Sequence, residues 1–206
     1  MTFRETRTVP TGNTYDKYGS GNPVVRRLMG GFEATLDELW QRARPQSILD
    51  VGCGEGVLTE RWADRFPTGR VVGVDLEDRE LRAHWDRRRR SNLEFRVAEA
   101  SSLPFADDEF DIVCAIELLE HVPDPESTLA QMVRVAQRWL LVSAPREPLW
   151  RILNVARGAY WHSLGNTPGH LHHWSKRDFR KLLSGYGEIE AARSPLPWTM
   201  LLVAVG

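Results

Sequence analysis

The chain has 206 residues, 42% hydrophobic and 27% charged, with a formal net charge of −1. These are the proportions of a soluble globular protein with room for one well-filled core, and they give no global pull toward nucleic acid or an anionic membrane. No apolar run approaches the roughly 20 residues that span a bilayer, and the opening MTFRETRTVPTGNTYDKYG lacks the apolar stretch of a secretory signal. Two cysteines, Cys53 and Cys114, are too few for a disulfide framework or a structural zinc site, so the cytoplasm is the expected compartment. The basic residues are nearly all arginine, with lysine only at Lys17, Lys176 and Lys181.

In chain order, residues 1–22 read as an irregular arm. Pro23 opens a helix to about Ala43, with Val24, Leu28, Phe32, Leu36, Leu39 and Trp40 near helical spacing and Gly30-Gly31 weakening its middle. Ser47–Val51 is a first strand, Gly56–Phe66 a helix and Gly69–Val74 a second strand. A polar, arginine-rich helix is expected over 77–90. Leu93–Ala98 and Phe110–Ala115 read as strands, 125–136 as a helix and Trp139–Ser143 as a fifth strand. Residues 145–174, rich in aromatics and histidines, carry no assignable pattern. Ser175–Ser184 is helical with Ser175 as N-cap, and Gly187–Ala192 and Trp198–Val205 close the sheet. Strands alternating with helices mean βαβ units on a largely parallel sheet of about seven strands. The short link through Pro195 and Pro197 makes the last pair an antiparallel hairpin.

Gly52-x-Gly54-x-Gly56 lies between a strand and a helix, where backbone N–H groups approach a nucleotide or other polar ligand. Its third glycine comes one position too early for a dinucleotide fingerprint. Asp50, at the strand's end, opposes a pyrophosphate and suits a ligand with ammonium and sulfonium charges. Asp75 ends the second strand roughly 20 residues on, where ribose hydroxyls are bound. Glu99 follows the third strand. Three acids after three successive strands line one sheet edge, the ligand edge of open α/β sheets.

These segments resemble the class I S-adenosylmethionine-dependent methyltransferases, in the small-molecule branch that includes quinone-biosynthesis enzymes. ILDVGCGEGVLTE resembles the first motif, VVGVDLE the ribose-binding strand, and AEASSLPFADDEFDIVCAIELLEHVPDP the third-to-fourth strand region. The resemblance implies one doubly wound, Rossmann-like α/β domain over 1–206 with a reversed last strand. Its arm and first helix occupy 1–46, and an acceptor-pocket insertion occupies 145–174. It implies S-adenosyl-L-methionine as cofactor. Gly52, Gly54 and Gly56 would surround its methionyl part, with Asp50 near the ammonium and Asp75 on the ribose. Leu76 would flank the adenine, Ala100 would give a backbone contact there, and Glu99 stands where the family usually has aspartate. Glu117 falls near the transferable methyl. A tyrosine of the arm, Tyr15 or Tyr18, or else Arg26, would reach the methionyl carboxylate; alternatively these residues merely pack or face solvent.

Methyl transfer from a sulfonium is an in-line displacement, so the protein must align nucleophile, carbon and sulfur and exclude water. A base helps where the nucleophile carries a proton, and no metal is expected. The base candidates are His170, His173 and His121, with His162, His172 and Glu117 behind them. His121 reads as structural or cofactor-adjacent. The segment holding His170, His172 and His173 either contacts substrate or packs against the sheet, with metal binding weakly supported. Trp150, Tyr160, Trp161 and Trp174 suit a planar or apolar acceptor. Arg146 binds an anionic substrate group or a neighbouring carboxylate, and Arg87–Arg90 read as a solvated face. The expected function is methylation of a small molecule, with no nucleic-acid partner and a monomeric or homodimeric state. The alternatives are a protein or RNA methyltransferase, or a protein that binds S-adenosylmethionine without transferring its methyl.

Overall fold

The computed structural model describes residues 21–206 apart from 157 and 159. Helix α1 (Pro23–Ala43) starts where the Asn22 side chain accepts from the Val24 N–H and Pro23 fills N1. Its stripe Met29, Phe32, Leu36, Leu39, Trp40 and Ala43 is buried. The Gly30-Gly31 pair leaves the helix unbroken, because this stripe anchors both halves to the sheet and packing outweighs the propensity penalty.

Seven strands follow: β1 (Ser47–Val51), β2 (Arg70–Asp75), β3 (Leu93–Val97), β4 (Phe110–Ile116), β5 (Ala136–Pro145), β6 (Glu188–Arg193) and β7 (Trp198–Ala204). They form one sheet in the order β3-β2-β1-β4-β5-β7-β6. Strands β1 to β5 are mutually parallel, and β7 runs antiparallel to both β5 and β6, as the short proline link requires. The interior strands are apolar throughout because both faces are covered. One face meets α1 and α2 (Val57–Arg65) through Phe32, Trp40, Trp62 and Ile48. The other meets α4 (Pro125–Val135) and α6 (Lys176–Leu183) through Leu129, Met132, Phe179 and Leu183. Burying each of these large side chains contributes roughly 1.5–3 kcal/mol.

Capping residues set the helix starts: Asp124 accepts from the Ser127 N–H before α4, and Ser175 from the Asp178 N–H before α6. Helix α3 (Arg79–Trp85) is shorter than its sequence pattern. Beyond Trp85 the chain turns back, so that Arg88 donates to the Glu55 carbonyl and Arg90 pairs with Asp64 and Glu60. Strand β5 is longer than expected because β7 pairs with it from Trp139 to Pro145. The unassigned stretch contains α5 (Leu149–Ala156) and a 3₁₀ turn, Trp161–Ser163. No helix among the described residues is long and apolar enough to cross a membrane.

Candidate functional site

The parallel strands β3, β2, β1 and β4 end on the same side of the sheet, and a cleft of about 840 Å³ opens there. Asp50, Asp75 and Glu99, from the ends of β1, β2 and β3, all line it. So do Gly52, Gly54, Leu76, Ala100 and Glu117, which with the three acids makes eight of the ten expected cofactor residues. Gly56 lies just behind the wall. Tyr18 and Tyr15 fall outside the described residues, while Arg26 is exposed and Glu77 turns away to a bidentate pair with Arg82.

The glycine loop divides its labour. Gly52 and Gly56 have φ of +74° and +76°, and a Cβ there would lie 2.6 Å from Leu118 and 2.5 Å from Phe95. Packing therefore demands glycine at both. Gly54 has nothing within 4 Å of its Cβ direction, so at this position the backbone itself is presented to the cleft. Its N–H donates to Asp75 Oδ2 at 2.7 Å, and the Leu76 N–H donates to Oδ1 at 2.7 Å. Burial raises the Asp75 pKa above its ordinary value against those two bonds. Each carboxylate oxygen keeps further acceptor capacity.

Asp50 is 3% exposed and accepts from the Thr59 hydroxyl at 2.6 Å. Desolvation pushes its pKa up to about 7, opposed by the Thr59 bond and reinforced by the Asp75 charge. A group this reluctant to ionise alone is well matched to a cationic ligand. Thr59, on the first turn of α2, carried no signal in the sequence. Burial also raises the Cys53 and Cys114 thiols, consistent with no nucleophilic role.

The far half of the cleft is apolar and aromatic, with Leu28 and Met29 of α1 facing Trp150, Tyr160 and Trp198. Phe32 and Trp198 pack edge-on at 4.8 Å, and Trp198 lies 5.9 Å from Trp150. Glu117 sits between the halves in a left-handed conformation (φ 55°), its carboxylate accepting from the Trp198 indole N–H.

Residues 169–172 are stitched to the β4–α4 loop. Leu171 and His172 both donate backbone N–H groups to the Glu120 carbonyl, at 2.7 and 3.3 Å. His121 Nδ1 donates to the Gly169 carbonyl at 3.0 Å, which leaves Nε2 as the acceptor nitrogen. This stitching brings His170 to 4.8 Å from the His121 ring, edge to face, within the cleft wall. His173 is a correction to the sequence expectation: it is exposed, bonded to Asn166 Oδ1 at 2.6 Å, and does not line the cleft. His172 bonds the Val122 carbonyl and stacks on Trp174, and His162 is exposed. Arg146 is not part of the wall.

Glu120, 1% exposed, was not singled out by sequence. With His121 and His170 it brings three donor atoms within 4.8 Å of one another, a set able to hold a divalent cation. His170 is 49 residues beyond His121 in the sequence, and only the fold unites them.

Residues 49–138 match the methyltransferase domain family. This segment resembles a class I methyltransferase domain. A methyltransferase of Streptomyces halstedii, GfsG, is 33% identical over 136 residues, covering 63% of this chain and 49% of that protein. A ubiquinone biosynthesis O-methyltransferase of Hahella chejuensis is 42% identical over 114 residues, covering 50% of this chain and 44% of that protein. The chain thus spans about half the length of these curated relatives. A crystal structure from Bacillus halodurans C-125 superposes with a TM-score of 0.61 at 26% identity, over 78% of this chain and 71% of that one. Magnesium protoporphyrin IX methyltransferase of Synechocystis, solved with bound SAH, gives 0.64 at 20% identity over 92% and 91%. The matched span carries the glycine loop, all three acids and Glu117, while the apolar half of the cleft also draws on α1 and on residues between 150 and 198, outside that span.

Proposed function

We propose that the protein transfers a methyl group from S-adenosylmethionine to an apolar, planar small molecule. The observation that carries this reading is the cleft itself, in which Asp50 and Asp75 flank an open Gly54 at one end and aromatic walls close the other. The chemistry of the donor set fits the cofactor. A buried carboxyl balanced near neutrality, at about 7, suits an ammonium, a two-oxygen carboxylate suits a ribose diol, and Leu76 with Ala100 offers apolar flanks for adenine. When bound, S-adenosylmethionine supplies an electrophilic methyl. Trp150, Leu153, Tyr160 and His170, with α1, form the acceptor chamber, excluding water and aligning the nucleophile.

His121 and His170 stand at the acceptor end. With its Nδ1–H on the Gly169 carbonyl, a neutral His121 keeps Nε2 as an acceptor, and the His170 ring lies against its ring. They are placed to take the proton of a phenol or similar nucleophile. A second reading rests on the three-donor set: Glu120, His121 and His170 would hold a divalent cation, which would supply Lewis-acid activation of an acceptor hydroxyl. Chelation separates the two, since only the second loses turnover on removal of divalent ions and regains it on their return.

The walls also favour a small acceptor over a macromolecule. A protein or RNA substrate calls for a broad charged trough, whereas Trp150, Tyr160 and Trp198 line this cleft. The relatives named for ubiquinone biosynthesis and for magnesium protoporphyrin IX agree with a planar acceptor. Screening phenolic and quinol pools with methyl-labelled cofactor tests the proposal. A labelled product and released S-adenosylhomocysteine support it; labelled protein or RNA as the product overturns it.

A further inference from the structure

Trp150 and Asn154 lie one turn apart on α5, both line the cleft, and both reach Thr167, which lines it too. The Trp150 indole N–H donates to Thr167 Oγ1 at 2.9 Å, and the Asn154 amide donates to the same oxygen at 3.1 Å. The Asn154 Nδ2 also donates to the Gly165 carbonyl at 2.8 Å. A carbonyl can only accept, so this bond fixes which end of the amide faces Thr167. Asn154 is 4% exposed, and Gly165 is pressed against the helix, where a Cβ would lie 2.2 Å from the Arg151 carbonyl oxygen. The Thr167 carbonyl accepts the His170 N–H at 3.2 Å, which ties the threonine to the histidine of the cleft wall.

A threonine hydroxyl has two acceptor positions and one proton. Indole and amide N–H groups only donate, so Trp150 and Asn154 fill both acceptor positions. The hydroxyl can then act only as a donor. Among the described residues, no carbonyl or carboxylate receives its proton. Accepting two bonds also polarises the O–H and strengthens it as a donor. The wall thus holds a hydroxyl of fixed polarity beside Trp150, whose ring stacks on that of His170 at 6.1 Å.

We infer that Thr167 is a specificity residue for the methyl acceptor, donating a hydrogen bond to a second oxygen of that molecule, a carbonyl, ether or ionised oxygen. This deepens the methyl-transfer reading and rests on it. A donor placed on the nucleophilic atom would occupy the lone pair that attacks the methyl, so the bond goes to a different oxygen. Aromatic walls select a planar ring without reading its substituents. The hydroxyl adds a preference for a ring that carries an acceptor oxygen, and a site built for such a bond rejects the analogue that lacks it. It also disfavours an ammonium or amide N–H at that place, because its oxygen has no lone pair left to receive one.

The test compares methylation of paired phenols, meta- and para-hydroxyacetophenone against meta- and para-ethylphenol, by S-adenosylhomocysteine release from the full chain. Within a pair a carbonyl replaces a methylene on the same ring. For each protein the readout is the ratio of kcat/KM for the two members, which cancels the folded fraction. That matters because Thr167→Val strands the Trp150 and Asn154 donors. The intrinsic reactivity of the phenols is common to every variant and drops out when variants are compared. Thr167→Val is expected to lower the hydroxyacetophenone-to-ethylphenol ratio of at least one pair about fivefold, the loss of one hydrogen bond. Thr167→Ser is expected to recover most of it. Ratios unchanged in Thr167→Val for both pairs, or lowered equally in Thr167→Ser, overturn the inference and leave methyl transfer intact. A wild-type chain that releases S-adenosylhomocysteine with none of the four phenols overturns the inference and the reading of a phenolic acceptor together.

Discussion

Trp198, the first residue of β7, donates its indole N–H to the carboxylate of Glu117 at the end of β4. The two strands are not neighbours; β5 lies between them. The bond joins two residues of the cleft wall and fixes an acid whose own backbone is left-handed, with the Glu117 N–H donating to the Ser143 carbonyl at 3.2 Å. Such conformations cost of order 1–3 kcal/mol and persist where the surroundings over-determine them.

Replacing Trp198 by Phe keeps the ring against Phe32 and deletes the donor. A hydrogen bond to a charged group contributes about 1.5–3 kcal/mol, so kcat/KM is expected to fall at least about tenfold. Folding is expected to change little, which thermal melts alongside steady-state kinetics would check.

Asp50 gives the ligand-free protein a pH signature. Burial first, and the Asp75 charge as well, raise its carboxyl from 3.8 to about 7. The folded state thus holds a proton that the unfolded chain has already released. Its contribution to stability is full below pH 3.8, falls as pH rises, and is gone above about pH 7. In Asp50→Asn, which still accepts from Thr59, that decline in melting temperature between pH 4 and 7 disappears relative to wild type. An ammonium-bearing ligand favours the ionised form, so wild-type affinity for S-adenosylhomocysteine should rise across the same interval and the Asn variant's should not.

The glycines separate stability from binding. Gly56→Ala places a methyl 2.5 Å from Phe95 at φ +76° and is expected to cost about 2–4 kcal/mol, read by urea denaturation. Gly54→Ala meets no atom within 4 Å and costs about 1–2 kcal/mol at its φ of +53°. It nevertheless occupies the open face of the cleft, so cofactor binding should fall far more than stability.

His170 and His173 should behave differently despite lying three residues apart. His170→Ala removes a group of the cleft wall and is expected to lower turnover by about 10²–10⁴-fold. His173→Ala removes an exposed ring outside the cleft wall, bonded to Asn166 and 6.4 Å from the His170 ring, and should keep most activity. Equal losses in both would contradict the placement.

The β1–β4 half of the molecule was legible because its signals are local. A strand, a tight glycine turn and an acid at the strand's end lie within ten residues of one another, and the alternation of strands and helices brings Asp50, Asp75 and Glu99 to one edge. What stayed hidden depends on contacts between distant segments. Nothing near Trp85 announces that its indole meets Gly54, and α3 ends where that contact and Arg88 turn the chain back. Glu120 reads as one more polar residue before His121 until residues 169–172 fold against it. The histidine segment gave its residue types but not its orientation. Only the fold places His170 in the cleft wall and leaves His173 exposed and bonded to Asn166.

Titration of S-adenosylhomocysteine into the wild-type chain and into Asp75→Asn bears most directly on the central claim. One ligand per chain is expected to bind the wild type, with affinity at least about tenfold weaker in the variant, because its amide supplies one acceptor oxygen where the carboxylate supplies two. No binding to the wild type, or equal affinity in the two proteins, would contradict the assignment of this cleft to S-adenosylmethionine.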